Sequence, residues 1–108
     1  AWALTRPPGH HATRSTSMGF CLLSNLAIAV RQAQHLGAQR VLIVDFDVHA
    51  GNGTMDCLHD DPNVLIFDLH QSHHYPYTGE QDDVGLGAAY GKRLNLPIPS
   101  GRGGEVHR

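Results

Sequence analysis

Residues 40–49 read Arg-Val-Leu-Ile-Val-Asp-Phe-Asp-Val-His, and this stretch decides the fold. Its first part, 40–46 (RVLIVDF), is a near-continuous apolar run of the kind found in parallel strands buried on both faces. Asp45, Asp47 and His49 then follow at alternate positions. Alternate side chains of an extended chain share one face, so the pattern presents two carboxylates and an imidazole together. Such a mixed oxygen and nitrogen set is half of a site for Zn²⁺ or another divalent metal. Each member alone has a plainer reading, because Asp at a strand end is commonly a turn or cap residue.

Upstream, residues 19–36 predict a helix. Phe20, Leu23, Leu26, Ala27, Val30 and Ala33 fall at a spacing of three to four, while Arg31, Gln32, Gln34 and His35 sit mostly off that face. Gly37 is placed to end it. Residues 5–18 are loop-like, punctuated by Pro7, Pro8 and Gly9. Downstream comes a Gly51-Asn52-Gly53 turn and a short helix over 54–60. A second buried-type strand covers 63–69 (NVLIFDL), with Asp68 and His70 at its end. Residues 71–92 are polar and Gly-rich, which predicts a long loop. Residues 94–98 form a short third strand or an extended edge, since Pro97 cannot donate to a ladder. Strand, helix and strand in this order imply a parallel α/β sheet. Ligands in such sheets gather outside the carboxyl ends of the strands, where Asp45, Asp47, His49, Asp68 and His70 all fall.

The 108 residues hold 9 His against 8 Lys plus Arg and 10 Asp plus Glu, for a formal net charge of -2. Histidine is the commonest metal ligand and proton shuttle near neutral pH. With 41% hydrophobic and 17% charged residues, the chain is neither a disordered tail nor a coiled coil. The absence of a basic run argues against direct nucleic-acid binding. No apolar run approaches the roughly 18 residues of a membrane span, and no signal-peptide pattern is present. Cys21 and Cys57 are too few and too isolated for a disulfide framework or a CxxC metal site. A reducing cytoplasm is the expected setting, or the nucleus in a eukaryote. The chain starts at Ala1 and closes on a loop-like 103–108 (GGEVHR). We therefore read 1–108 as the central part of a single larger domain.

A second signal is His10-His11 after Arg6-Pro7-Pro8-Gly9. Adjacent imidazoles on irregular backbone point to different partners, one able to act as general base and the other as an electrostatic partner. By itself the pair reads more readily as a solvated loop. His70, Gln71, His73 and His74 form a loop with an aromatic wall of Tyr75 and Tyr77, and its plainer reading is an exposed loop with aromatic packing. His35 and His59 fall on predicted helices as surface residues, and His107 receives no role. Cys21 reads as a small buried hydrophobe.

Three motifs in register carry a family resemblance. Arg6-Pro7-Pro8-Gly9-His10-His11-Ala12, then Gly19-Phe20-Cys21, then Asp45-Phe46-Asp47-Val48-His49-Ala50-Gly51-Asn52-Gly53-Thr54 occur in that order. The chain resembles the histone deacetylase superfamily, which includes bacterial acetylpolyamine amidohydrolases and acetoin-utilisation proteins. The Arg-Pro-Pro-Gly-His-His form and Asn52 resemble class II and bacterial members. Tyr75-Pro76-Tyr77-Thr78-Gly79 is similar to the family's aromatic-Pro-Gly-Thr-Gly loop, and Asn95-Leu96-Pro97-Ile98-Pro99 to its N-x-P-x-P stretch. Arginase carries Asp-x-His-x-Asp on its metal strand, whereas the order here is Asp-x-Asp-x-His.

The resemblance implies a three-layer parallel α/β sheet of the arginase/deacetylase type, with only a central segment present. It implies Zn²⁺ held by Asp47 and His49, and a structural monovalent cation, usually K⁺, at Asp45, Asp68 and the Leu69 carbonyl. His11 would be the general base, oriented by Asn52, and His10 its neighbour, backed by Asp45. Gly19, Phe20 and Tyr75 would line the substrate channel. The implied substrate is acetyl-lysine or a related acetylated amine such as an acetylpolyamine. The resemblance says nothing of the oligomer. Two departures stand out. Tyr77 replaces a glycine of the family loop, and the family's third zinc ligand, an Asp, and its oxyanion-stabilising Tyr have no counterpart here. The implied activity is a zinc-dependent amidohydrolase, with the segment inactive alone. The alternatives are a non-catalytic deacetylase-like binding domain, and a bare α/β piece in which Asp47 and His49 lie too far apart to share an ion.

Overall fold

Two apolar runs and a third, mixed stretch become three parallel strands in the order β1-β2-β3. A computed structural model of the chain describes residues 1–2 and 4–102; His107 and the rest of 103–108 lie outside the described residues. The elements are α1 (Asn25–His35), β1 (Val41–Asp45), α2 (Asn52–Cys57), β2 (Val64–Gln71) and β3 (Arg93–Ile98), with one 3₁₀ turn at Gly87–Ala89. Val41 faces Val64 and Asp45 faces Asp68 across β1 and β2, while Asp68 faces Asn95 across β2 and β3. The stretch over 94–98 is thus a genuine strand, and among the described residues β3 pairs on one side only, with β2, which leaves room for Pro97.

The core lies on one face of the sheet. Ile43, Val64 and Ile66 point inward and meet Ala27 and Val30 of α1 and Met55 and Leu58 of α2. Each fully buried Val or Ile contributes roughly 1.5–3 kcal/mol relative to exposure. The opposite face is exposed, with Leu42 at 61% and Val44 at 52%, joined by Leu65, Leu94 and Leu96. Among the described residues one face is covered, because α1 and α2 share one core cluster and so lie on the same side. Trp2 meets Phe46 edge-on at 6.1 Å.

The first helix is shorter than its pattern predicts, starting at Asn25 instead of residue 19. Gly19 and Phe20 both adopt left-handed backbone, with φ of 56° and 63°. The Cys21 N–H donates to the Met18 carbonyl at 2.9 Å, closing a tight turn. That turn buries Cys21 beneath the His11 backbone, whose N–H reaches Cys21 Sγ at 3.3 Å. The second helix begins two residues earlier than expected and ends at Cys57.

Polar ties fix the loops around this frame. Buried Asp61 accepts from Arg31, from Gln34 at 2.8 Å and from the Asn63 N–H at 2.9 Å. Burial raises its pKa, but these donors outweigh burial and hold it below the ordinary value. Arg14 ties the N-terminal loop to α2 through the Cys57 carbonyl at 3.2 Å. Arg93 grips both oxygens of Asp83 at 3.0 Å and the Met55 carbonyl at 3.0 Å. Buried Asn95 donates to the carbonyls of Glu80 and Asp83 at 3.0 Å each. Among the described residues, no helix is long and apolar enough to cross a membrane.

Candidate functional site

The site is built where β1 ends. The chain leaves the strand at Asp45 and coils, with the Asp47 N–H donating to Asp45 Oδ1 at 3.1 Å and the His49 N–H to Asp47 Oδ1 at 2.9 Å. This corrects the extended geometry read from the alternation. Carboxylates followed two residues later by a free N–H favour such turns. Asp45 turns inward and its side chain is 11% exposed, while Asp47 and His49 turn outward together. His49 Nδ1 lies 3.1 Å from Asp47 Oδ1.

That separation tests whether the two side chains fit a common ion. Two donors about 2.0–2.1 Å from a tetrahedral metal lie roughly 3.3 Å from each other. Asp47 and His49 meet this requirement, so the reading in which they lie too far apart to share an ion is not supported by the geometry. Among the described residues, no group of three or more His, Cys, Asp or Glu side chains converges on one metal position.

The two adjacent histidines have different partners. His10 Nδ1–H donates to Asp45 Oδ2 at 3.0 Å, and its Nε2 faces Asp47 Oδ1 at 3.8 Å. His11 Nδ1–H donates to the Asn52 amide oxygen at 2.7 Å. With Nδ1 committed, Nε2 of His11 is the nitrogen free to take a proton. For His10, burial opposes the charged ring, but the hydrogen bond and charge of Asp45, then Asp47 and Asp68, raise its pKa. For His11, burial lowers the pKa; the Asn52 bond opposes this, and the charges of His10 and His49 add to the lowering. Asp45 is raised by burial but lowered more by its bond to His10, and ends below the ordinary carboxylate value.

Beneath the histidines lies a polar row across the sheet, Asp45, Asp68 and Asn95 in register. Gly51 allows it. A Cβ there would sit 2.8 Å from Asp45 Oδ2 and 3.2 Å from Asp68 Oδ2. Asp68 is 1% exposed. Burial raises its pKa, the Gly51 N–H at 2.8 Å opposes this, and the Asp45 charge raises it further. Two buried carboxylates around one small space are hard oxygen donors of the kind a cation takes.

The α2 N-terminus clamps the His10-His11 loop, with the Gly53 and Thr54 N–H groups donating to the His10 carbonyl at 2.8 and 3.1 Å. Gly19 lies against His11, where an added Cβ would fall 2.3 Å from its ring carbon Cδ2. Phe20 stands out from this turn at 91% exposed. Tyr75 meets His11 edge-on at 5.1 Å and His49 at 5.9 Å. The structure thus brings together His10, His11, Asp45, Asp47, His49, Asn52, Gly19 and Tyr75.

Two further histidines gain definite partners. His70 is buried, with Nδ1 at 2.7 Å from Asp68 Oδ1 and Nε2–H donating to the Gly79 carbonyl at 2.9 Å. It anchors the loop that carries Tyr75. His74 stacks on His49 with ring centroids 5.0 Å apart. Its adjacency to Tyr75 was the available signal. His35 and His59 are exposed, as expected of surface residues.

The chain matches the histone deacetylase domain family over residues 1–107. The chain belongs to the histone deacetylase family. It is 50% identical over 103 residues to histone deacetylase 14, chloroplastic, of Arabidopsis thaliana, covering 94% of this chain and 24% of that protein. It is 48% identical over 101 residues to a polyamine deacetylase of Rattus norvegicus, covering 88% and 17%. Among solved structures it resembles the acetylpolyamine aminohydrolase from Burkholderia pseudomallei, with TM-score 0.84, 40% identity, and coverage of 92% of this chain and 30% of that one. The chain therefore spans about a quarter of the length of the first deacetylase named. Its parallel α/β sheet is that of the deacetylase domains.

Proposed function

We propose that this segment carries part of the active site of a zinc-dependent amidohydrolase. Its reaction would remove acetyl groups from acetyl-lysine or a related acetylated amine such as an acetylpolyamine. The observation that carries the reading is the pair His10 and His11, one backed by the anionic Asp45 and the other by the neutral Asn52, beside two donors 3.1 Å apart. Asp47 and His49 would hold Zn²⁺, which when bound supplies a Lewis acid to the amide carbonyl and the attacking water. His11, with its pKa lowered, is neutral near pH 7 and takes the proton at Nε2. His10, with its pKa raised by Asp45, holds a proton more readily than His11 and would stabilise the charge that develops beside it. Gly19, Phe20 and Tyr75 would grip the acyl chain. Asp45, Asp68 and the Leu69 carbonyl would hold K⁺, offsetting the repulsion between the two carboxylates. Relatives named for polyamine substrates support the acetylated-amine class.

A second reading is a deacetylase-like binding domain without turnover. It would hold if the whole protein placed no third donor beside Asp47 and His49, since a catalytic zinc ordinarily has three protein ligands. The test is an assay of the whole protein on an acetyl-lysine peptide and an acetylpolyamine, with and without chelator, beside His11→Ala and Asp47→Ala. Chelator-sensitive turnover lost in both variants is expected. Binding of the acetylated ligand with no turnover would select the second reading. The 108-residue segment alone is expected to be inactive, and zinc-dependent turnover by it would refute that.

A further inference from the structure

The loop after β2 supplies a ring to which the reaction above assigns nothing. His74 lies over His49 with ring planes 24° from parallel. Tyr75, the next residue, meets the same imidazole at 83°. Two consecutive side chains therefore close two sides of one ring.

The backbone that presents them is firmly held. His73 and Tyr77 flank them in left-handed conformation, with φ of 53° and 63°. The Tyr77 N–H donates to the His74 carbonyl at 2.7 Å, and the Ser72 N–H to the Ile98 carbonyl at 2.9 Å. Further on, Gly79 is pinned by buried His70, and Glu80 and Asp83 by Asn95. Left-handed backbone at bulky residues is strained, and it persists where surrounding contacts over-determine it.

His49 has an unusual need for such support. A metal-ligating histidine ordinarily donates its second ring N–H to an acceptor that fixes the ring's orientation. His49 uses Nδ1 toward Asp47, and among the described residues its Nε2 makes no hydrogen bond. The His74 ring likewise makes no hydrogen bond or ion pair among them; its contact is the stack. Face-to-face and edge-on rings together leave an imidazole little freedom to rotate.

We propose that His74 is a positioning residue for the metal, its stacked ring holding His49 so that Nδ1 stays beside Asp47 Oδ1. This rests on the zinc reading above. The operative feature is the flat ring and not its nitrogens, so a phenyl group serves equally well.

The experiment measures zinc affinity of the whole protein by chelator competition, with the visible spectrum of the Co²⁺-substituted form as a readout of ligand geometry. His74→Phe is expected to bind zinc like the wild type, with an unchanged cobalt spectrum. His74→Ala is expected to bind about tenfold more weakly, with an altered spectrum. His74→Leu fills the space without an aromatic face and guards against collapse of the loop; it is expected to follow the alanine variant. Alanine and leucine variants that bind like the wild type would overturn the proposal. A phenylalanine variant as weak as alanine would also overturn it, by making a ring nitrogen the operative group. A wild-type protein that binds no zinc would sink the metal reading itself, together with this inference.

Discussion

Replacing Asn52 by Asp puts a charge where the structure has a neutral oxygen, 2.7 Å from His11 Nδ1. That contact places the two charge centres about 4 Å apart, where unit charges attract by about 4 kcal/mol at an effective dielectric of 20. One pKa unit corresponds to about 1.4 kcal/mol, so the upper bound on the shift is about 3 units. Losing the amide bond and desolvating a new carboxylate take back part of this, leaving a rise of about 1–2 units. The neighbouring pair shows the sign, since His10 beside Asp45 is raised while His11 beside Asn52 is lowered. A base works deprotonated, so raising the His11 pKa moves the acid limb of kcat/KM to higher pH. Below the new limb the rate falls tenfold per pH unit. The assay is a pH profile of kcat/KM for Asn52→Asp and wild type, on the whole protein with zinc supplied. An acid limb at the wild-type position would refute His11 as the base that Asn52 tunes.

Three further outcomes are expected. Gly51→Ala forces a Cβ to within 2.8 Å of Asp45 Oδ2. It should cost about 1–3 kcal/mol in urea unfolding, and wild-type stability would show that the carboxylates can retreat. Asp68 has a pKa raised on folding, so its neutral form is favoured at low pH and its ionised form destabilises as pH rises through the folded pKa. At pH 7–8 without K⁺, Asp68→Asn should melt no lower than wild type, while added K⁺ should raise the wild-type Tm alone. Potassium raising both equally would remove Asp68 from the cation site. Asp47→Ala should abolish zinc binding seen by calorimetry, and retention of stoichiometric zinc would move the metal elsewhere.

Much of the fold was legible because the apolar runs at 40–46 and 63–69 have few alternatives. They are too short and too β-branched for helices, and they end in charges that need a strand terminus or a partner. The limits of α1 were not legible. Phe20 and Leu23 keep helical spacing, yet Gly19 and Phe20 turn left-handed to seat Cys21 under His11. Likewise, alternation over 45–49 suggested one extended face, but side-chain acceptors close on N–H groups two residues on. A local hydrogen bond there wins over strand continuation, and the paired register of β1 with β2 ends at Asp45 and Asp68.

From sequence alone came the parallel α/β architecture, the family, and the candidate chemistry of His10, His11, Asp45, Asp47 and His49. These follow from residue type and short spacing, which survive translation into any fold that keeps strand ends together. Tertiary structure alone decided which partner each imidazole takes, because His10 meets Asp45 across 35 residues and His11 meets Asn52 across 41. It also decided that His70 is buried beneath the rim loop and that His74 backs His49. Contacts of that range depend on how β1, β2 and the loop after β2 pack against one another, and no local pattern encodes a distance between separate elements.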